Sequence, residues 1–336
     1  MPVVREAVVD GLFYPAAPAA LRAQVAGYLG RVDAADGHAR APKLLIVPHA
    51  GYEYCGAVAA QAYARLRGRA HGLRRVVLLG PAHRVPLEGL AAPCAEAFDT
   101  PLGRVALDAA ALADLDALPQ VRRSDAAHER EHSIEVQLPF LQSLLGGGFT
   151  LVPLVVGRAG AEEVAQVIER LWGGDETLVV ISSDLSHYHG YEQARALDRA
   201  TAGRILALDA GLGPDEACGA AAINGALLAA RRHGLAPRLL DLRNSGDTAG
   251  DRLRVVGYGA IVFEEPAQLA RTRRPRAGGT GSTTVASSAT CVRATAACTR
   301  ASAACASCAS ASATRWCSRP TGAARASAST RSRRSR

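Results

Sequence analysis

The chain has 336 residues, of which 49% are hydrophobic and only 4% aromatic, and its formal net charge is +8. The charge is uneven, because residues 266–336 contain 13 Arg and no Lys, Asp or Glu, which leaves −5 for residues 1–265. A mildly acidic body argues against nucleic acid as a partner of the folded part, and the lack of an 18-residue apolar run argues against a membrane span.

The composition changes near Pro266 and divides the chain in two. Residues 1–265 are long enough for one large hydrophobic core. Residues 266–336 consist mainly of Ala, Ser, Thr and Arg, and they cannot bury enough apolar surface to offset the entropy of ordering. We therefore predict one domain over 1–265 and a disordered low-complexity tail over 266–336, whose composition also suggests a frame-shifted stretch of GC-rich coding sequence.

Five of the eight cysteines lie in the tail, which leaves Cys55, Cys94 and Cys218 in the body. Three cysteines are too few, and odd in number, for a disulfide framework. The start of the chain does not read as a signal peptide. These features predict a cytoplasmic protein.

Predicted helices and strands alternate along the body. In chain order they are helix 18–29, strand 43–48, helix 57–67, strand 75–80, helices 108–115 and 133–145, strand 150–156, helix 161–172, strand 177–182, helices 192–208 and 214–233, and strand 254–263. The first four strands are continuous apolar runs, which is typical of strands covered on both faces. The pattern predicts an α/β domain with a largely parallel central sheet flanked by helices. The turn-rich segment 244–251 either closes over the site or is a hairpin connection, and the latter is favoured.

Polar side chains follow three of these strands at the point where each strand ends. His49 follows strand 43–48, His83 follows strand 75–80, and Asp184 follows strand 177–182, with His187 shortly after it. Ligands of open α/β sheets bind beyond the carboxyl ends of the strands. We therefore expect these side chains to share a site, although Asp184 also fits a helix N-cap.

Two imidazoles at strand ends suit zinc, copper or iron. Asp184, Glu135 and Cys218 are candidates for the third ligand. Cys218 lies near the start of a predicted helix, a position that lowers the pKa of a thiol. The alternative for Cys218 is a small buried apolar residue.

The segment H-E-R-E-H at 128–132 matches the H-E-x-x-H zinc-protease pattern. A loop-like segment before it, and a predicted helix that begins only near Ser133, argue against a zinc site on one helix face. His132 and Glu135 are three residues apart, so both could line a pocket or form a solvated helix start. No nucleotide-binding glycine motif follows a strand, and the serine-hydrolase motif G-x-S-x-G is absent from the sequence.

Nine motifs occur in order along residues 2–264. They are G-L-F-Y-P (11–15), P-H-A-G-Y (48–52), L-G-P-A-H (79–83), F-D-T-P-L-G (98–103), E-H-S-I-E-V-Q-L-P-F (131–140), S-S-D-L-S-H-Y (182–188), A-C-G-A-A-A-I-N-G (217–225), N-S-G-D-T-A-G-D (244–251) and V-G-Y-G-A (256–260). On these motifs the chain resembles the Memo family. The resemblance is strongest to its bacterial branch, the protein B type of the AmmeMemoRadiSam system, encoded beside a radical-SAM protein and an AMMECR-type protein.

The resemblance implies a fold like that of class III extradiol dioxygenases and a metal site at His49, His83 and Cys218. It further implies that Asp184, His187 and His132 line the same pocket as acid/base or substrate-orienting groups, and that the metal is copper or iron, with zinc as an alternative. A thiolate in place of the carboxylate of a two-His-one-carboxylate iron site argues against ring cleavage, because sulfur is softer and can itself be oxidised.

We therefore expect a metal-binding protein with a redox or metal-handling role, and with radical-SAM and AMMECR-type neighbours as partners. The alternatives are a dioxygenase-like oxidoreductase acting on a small phenolic substrate, and a non-enzymatic module that binds a peptide or partner protein. A pocket mouth lined by Tyr52, Tyr188 and Arg84 would suit all three.

Overall fold

The computed structural model describes residues 3–33 and 42–266. The predicted tail lies outside the described residues, apart from Pro266. The helices are α1 (Pro18–Gly30), α2 (Tyr52–Tyr63), α3 (Ala109–Leu115), α4 (Asp125–Glu129), α5 (Leu138–Leu145), α6 (Ala161–Arg170), α7 (Tyr191–Leu206) and α8 (Ala220–Arg232). The strands are β1 (Val4–Arg5), β2 (Leu44–Val47), β3 (Arg75–Pro81), β4 (Leu90–Ala92), β5 (Ala97–Thr100), β6 (Gly103–Ala106), β7 (Val121–Arg123), β8 (Thr150–Val156), β9 (Thr177–Ser182), β10 (His187–His189), β11 (Ala236–Asn244) and β12 (Val255–Glu264).

The main sheet has nine strands in the order β10-β12-β2-β9-β3-β8-β4-β7, with β11 paired to β12. Its centre, β2-β9-β3-β8, is parallel throughout. These four strands are the continuous apolar runs of the sequence, and their side chains are almost completely buried. The structure therefore confirms an α/β domain whose central sheet is covered on both faces.

Antiparallel pairing is confined to the margins of the sheet. Strand β12 pairs antiparallel with β2, β10 and β11, and β4 pairs antiparallel with β8. The segment between β11 and β12 joins two antiparallel neighbours, as expected for a hairpin connection. A separate three-stranded sheet has the order β1-β5-β6.

Strand β12 lies within one residue of the predicted strand 254–263, but the sequence missed the other strands of the margins and those of the small sheet. Most of them are two to four residues long, too short to show periodicity. The predicted helix 133–145 begins later than expected, since a 3₁₀ turn at Glu135–Gln137 precedes α5. Helix 214–233 likewise begins only at Ala220. Among the helices of the described residues, none has the length and apolar character needed to cross a bilayer.

The parallel register brings three strand ends to one edge of the sheet. Val47 of β2 is aligned with Ser182 of β9, and Leu79 of β3 is aligned with Ile181 of the same strand. His49, His83 and Asp184 each follow one of these aligned ends within two to four residues. The sheet thus places them side by side.

Candidate metal centre

A cavity of about 980 Å³ opens at this edge of the sheet. All six side chains proposed from the sequence line it, namely His49, His83, His132, Asp184, His187 and Cys218. They come from five separate segments of the chain, since Asp184 and His187 share one, and the fold brings these segments together.

Three imidazoles in the described part of the chain form a cluster of potential metal ligands. The ligand nitrogens of His49, His83 and His132 all lie within 4.8 Å of one another. Their ring centroids are 5.2 Å apart for His49 and His83, 5.4 Å for His49 and His132, and 4.8 Å for His83 and His132. Small side-chain movements would therefore let three nitrogens bind one ion.

His83 is oriented by the buried carboxylate of Glu131. Its Nδ1 lies 2.9 Å from Oε1 of Glu131, and its backbone N–H donates to Oε2 at 2.6 Å. Burial alone would raise the pKa of Glu131, but hydrogen bonds from His83 and from the Ser133 backbone lower it to about 2. A carboxylate that holds one ring N–H leaves the other ring nitrogen free to bind a metal, the arrangement common around metal-binding histidines.

His49 is buried, and both its backbone and its ring are held. The backbone N–H donates to Oδ1 of Asp184 at 2.9 Å, and Nδ1 lies 2.9 Å from Oγ of Ser182. Its Nε2 lies 3.4 Å from Sγ of Cys218. Burial and the neighbouring rings of His83 and His132 lower the pKa of His49 well below its usual value, so the ring is neutral at pH 7.

His132 has a buried ring nitrogen that fits a metal ligand. Its Nδ1 lies 3.3 Å from Oε1 of Glu131, yet it makes no hydrogen bond with any described residue. Burial lowers the pKa of His132 to about 4, so the ring is neutral at pH 7. Buried polar atoms normally have partners, and a cation at the three-imidazole cluster would provide one.

Cys218 stands beside His49 rather than within the three-imidazole cluster. Its Sγ accepts a hydrogen bond from the backbone N–H of Asp184 at 3.3 Å. Burial, followed by the nearby Asp184 carboxylate, raises the pKa of the thiol to about 12. The expectation that a helix start lowers this pKa is therefore wrong for the metal-free protein, since α8 begins two residues later and burial dominates.

Asp184 and His187 also line the cavity. Burial raises the pKa of Asp184 to about 7, against the lowering effect of the hydrogen bond from the His49 backbone. Asp184 is followed by β10 rather than by a helix, so its reading as an N-cap is wrong. His187 donates Nδ1–H to the carbonyl of Leu185 at 2.8 Å, which leaves its Nε2 free.

Two residues proposed from the sequence lie elsewhere. Glu135 is not a ligand, because its carboxylate accepts hydrogen bonds from Arg5, from Tyr14 Oη at 2.5 Å and from the backbone N–H groups of Val8 and Val9. Tyr52 is 1% exposed and donates to the carbonyl of Val136, so it does not reach the mouth.

The mouth of the cavity carries the other two residues proposed for it. Arg84 and Tyr188 both line the cavity. The ring of Tyr188 is 62% exposed, and its backbone has φ = 61°, a conformation that bulky residues rarely adopt. The guanidinium of Arg254 lies 5.0 Å from the centre of the Tyr188 ring.

The zinc-protease pattern at 128–132 does not form a site on one helix. Helix α4 ends at Glu129, so His132 lies outside the helix that carries His128. The His128 ring is 2% exposed, and its Nε2–H donates to the carbonyl of Ala91 at 2.9 Å. His128 is therefore part of the core, while His132 belongs to the cavity.

His128 predicts a defined acid sensitivity of the metal-free protein. Burial lowers its pKa to about 4, against 6.5 in the unfolded chain. Because the unfolded chain binds the proton first, His128 removes about 3 kcal/mol of stability as the pH falls from 6.5 to 4. We expect His128→Gln, which keeps a donor for the Ala91 carbonyl, to abolish that part of the pH dependence in urea unfolding followed by circular dichroism.

The exposed residue His71 supplies the control for this experiment. His71→Gln should leave the pH dependence of unfolding unchanged. If His128→Gln and the wild type lose stability equally between pH 6.5 and 4, His128 does not titrate as its burial requires.

Sequence reasoning missed three residues that orient the imidazoles: Glu131, Ser182 and Gln137. All three lie inside motifs that were recognised, E-H-S-I-E-V-Q and S-S-D-L-S-H-Y. Their polar side chains next to apolar positions were the available signal. Their partners could not be read from the sequence, because each contact with His49 or His83 is long-range.

Comparison with known proteins gives a consistent result. The family model described as Memo-like protein matches residues 5–262. The MEMO1 family protein MK0963 of Methanopyrus kandleri is 36% identical over 282 residues, covering 77% of this chain and 98% of that protein. A MEMO1 family protein of Sulfolobus acidocaldarius is 35% identical over 283 residues, covering 78% of this chain and 99% of that protein.

Among the solved structures that match is the crystal structure of the uncharacterized protein JW3007 from Escherichia coli K12, which is 12% identical. The match covers 66% of this chain and all of that chain with a TM-score of 0.42. A likeness at that score supports no statement about this site.

Proposed function

Since the chain belongs to the Memo family, as the match over residues 5–262 and relatives above 30% identity show, we propose that it binds one copper or iron ion in the cavity at the strand ends. In this proposal His49, His83 and Cys218 hold the ion, and His132 supplies a further nitrogen. The observation that carries it is the convergence of three imidazoles, of which His83 is oriented by Glu131 in the manner of metal-binding histidines.

The donor types favour copper or iron over harder cations. Imidazole nitrogens suit zinc, copper, iron and nickel, whereas magnesium and calcium prefer oxygen ligands. The Cys218 sulfur, 3.4 Å from Nε2 of His49, adds a soft donor on one side of the cluster. Zinc suits the same imidazole donors, so its affinity for the site is the one with which the affinities of copper and iron are to be compared.

A bound copper or iron ion would supply one-electron chemistry, and we propose a redox or metal-handling role on that ground. Asp184 and His187 line the same cavity and are proposed to orient a bound molecule and to exchange protons with it. His187 is suited to this because its Nδ1–H is held by the Leu185 carbonyl, which leaves Nε2 as an acceptor. We further propose a small molecule or peptide as the bound partner, and radical-SAM and AMMECR-type proteins as neighbours.

A ring-cleaving dioxygenase is less well supported. Such enzymes hold iron with two histidines and a carboxylate. Here Oδ1 of Asp184 already accepts the His49 backbone N–H, and the carboxylate of Glu131 is held by His83 and the backbone N–H groups of His132 and Ser133.

The test of metal binding follows the histidine side chains themselves. We expect anaerobic titration of the full chain with Cu(I), Fe(II) or Zn(II) to change the imidazole NMR signals of His49, His83 and His132. The change should be complete when about one ion per chain is bound in the cavity. A metal buffer sets the free metal concentration during the titration. Each NMR signal reports only on its own imidazole ring, so metal bound by the tail cysteines does not affect the result.

His71 and His233 serve as internal controls, since they do not line the cavity. Their signals should stay unchanged while those of the cluster shift or broaden. Saturating metal that leaves all three cluster signals unchanged would remove the proposed function.

A further inference from the structure

A buried hydrogen-bond chain begins at Tyr63 and reaches the site through Gln137. Tyr63 donates its hydroxyl hydrogen to Oε1 of Gln137 at 2.8 Å, and Nε2 of Gln137 donates to the carbonyl of Pro48 at 2.9 Å. A carbonyl can only accept, so the atom facing Pro48 must be the amide NH₂ group. The same NH₂ group donates to Oγ of Ser182 at 2.8 Å.

The hydroxyl of Ser182 can act toward His49 only as a hydrogen-bond acceptor. Its oxygen lies 2.6 Å from the carbonyl oxygen of Ser133. Two oxygens so close repel each other unless a hydrogen lies between them, and the carbonyl has none, so Ser182 donates its single hydrogen there. With that hydrogen used, Ser182 can only accept from Nδ1 of His49, 2.9 Å away.

All four side chains are almost completely buried, although His49 also lines the cavity. Tyr63 and Ser182 are fully buried, Gln137 is 1% exposed and His49 is 2% exposed. The direction of the bonds between Tyr63, Gln137 and Ser182 is therefore set by the protein rather than by solvent.

We propose that Ser182 is a positioning residue which, directed by Gln137 and the Ser133 carbonyl, holds His49 as the Nδ1–H tautomer and keeps the lone pair of Nε2 in the cavity. This inference rests on the proposed metal function, and it identifies the residue that orients His49, the most deeply buried of the proposed ligands. The hydrogen bond made by one ring nitrogen of a histidine decides whether the other nitrogen has a lone pair that can bind a metal.

The arrangement differs from that of the two other oriented histidines. Nδ1 of His83 faces a carboxylate and Nδ1 of His187 faces a backbone carbonyl, and neither group has a hydrogen to give. A serine hydroxyl could hold either tautomer. His49 alone among these three needs further groups to fix the direction of its hydrogen bond, and Gln137 and Ser133 provide them.

The position of Cys218 agrees with this tautomer. Its Sγ lies 3.4 Å from Nε2 of His49 and accepts the backbone N–H of Asp184. A neutral thiol can donate S–H to a ring nitrogen that carries a lone pair, and its sulfur can also accept from a ring N–H. The contact is therefore compatible with the lone pair on Nε2, and the choice of tautomer rests on Ser182.

The experiment first measures the tautomer without any metal. We expect ¹⁵N NMR of the metal-free full chain to show Nδ1 of His49 protonated and Nε2 unprotonated at pH 7. In Ser182→Ala, which removes the acceptor, we expect a mixture of tautomers and a 10- to 100-fold lower affinity of the His49 ring for buffered Cu(I), the range found when an outer partner of a ligand is removed.

Thr177→Val is the matched control. It removes another fully buried hydroxyl from the opposite end of β9, where Thr177 contacts Glu176 instead of the site. We expect it to leave the tautomer and the Cu(I) affinity as in the wild type. Equal effects of both variants would show that Ser182 acts only through stability and would overturn the proposal.

The tautomer distinguishes this inference from the proposed function. A wild-type His49 that is protonated on Nε2 overturns the inference, even if copper binds. If the wild type shows the Nδ1–H form and Ser182→Ala loses it, the positioning role holds even where no metal is taken up. The tautomer of His49 in the wild type can be measured whether or not the Ser182→Ala variant folds.

Discussion

Replacing His49 with alanine together with Cys218 with serine is expected to abolish specific metal binding at the cavity. The two side chains supply adjacent donors, with Nε2 and Sγ 3.4 Å apart, and His83 and His132 alone cannot complete a coordination shell. Loss of an outer partner already costs 10- to 100-fold in affinity, so loss of two ligands should exceed about 100-fold. Equilibrium dialysis against buffered Cu(I) or Fe(II), followed by elemental analysis, measures the missing equivalent per chain.

The matched control replaces a histidine and a cysteine outside the cavity. His71 and Cys94 are both exposed, and the variant His71→Ala with Cys94→Ser should bind as much metal as the wild type. Both variants keep the tail cysteines, so any metal bound there cancels in the comparison. Equal metal content in the cavity variant and the control would mean that the ion binds elsewhere.

The second large effect is expected on stability, at Glu135. Glu135 and Arg5 form an ion pair whose side chains are 0% and 6% exposed. Glu135→Gln leaves the Arg5 charge buried without its counter-charge, which should lower the free energy of unfolding by about 3–5 kcal/mol. Guanidinium unfolding of the metal-free protein, followed by circular dichroism, measures this loss.

An exposed ion pair provides the comparison. Asp114 pairs with Arg170 at the surface, where the two side chains are 44% and 51% exposed. Asp114→Asn makes the same chemical change as Glu135→Gln, and it should cost less than about 1 kcal/mol because exposed pairs contribute little. Similar losses for Glu135→Gln and Asp114→Asn would contradict the structural role given to Glu135.

The sequence predicted the centre of the fold because burial on both faces leaves a plain signal. Strands β8 and β9 have the bounds expected from their apolar runs, and β2 and β3 differ from theirs by one or two residues. Parallel alignment of these strands then placed His49, His83 and Asp184 at one edge without further information. Apart from β11 and β12, the marginal strands had no comparable signal, since they are short and are defined by their partners rather than by their own residues.

The part of the site contributed by the segment after α4 could not be predicted in the same way. That segment is held by contacts distant in sequence: Arg5 donates to the carbonyls of His128 and Glu131, more than 120 residues away. Without those contacts, His132 and Glu135 looked equally suited to a pocket. The structure places His132 in the cavity and Glu135 in the core. The resemblance to the Memo family pointed to Cys218, which spacing alone left open.

The seven residues 131–137 influence all three imidazoles of the cluster. Glu131 holds His83, His132 is itself a member, and Ser133 and Gln137 direct the hydroxyl that holds His49. Local opening of this segment would therefore release three nitrogen donors in one step, whereas movement around Cys218 would release only one sulfur. If an ion binds as proposed, the rate at which it leaves would be governed by how often a single short stretch of backbone unfolds, and its retention would depend on local folding as well as on the strength of its bonds.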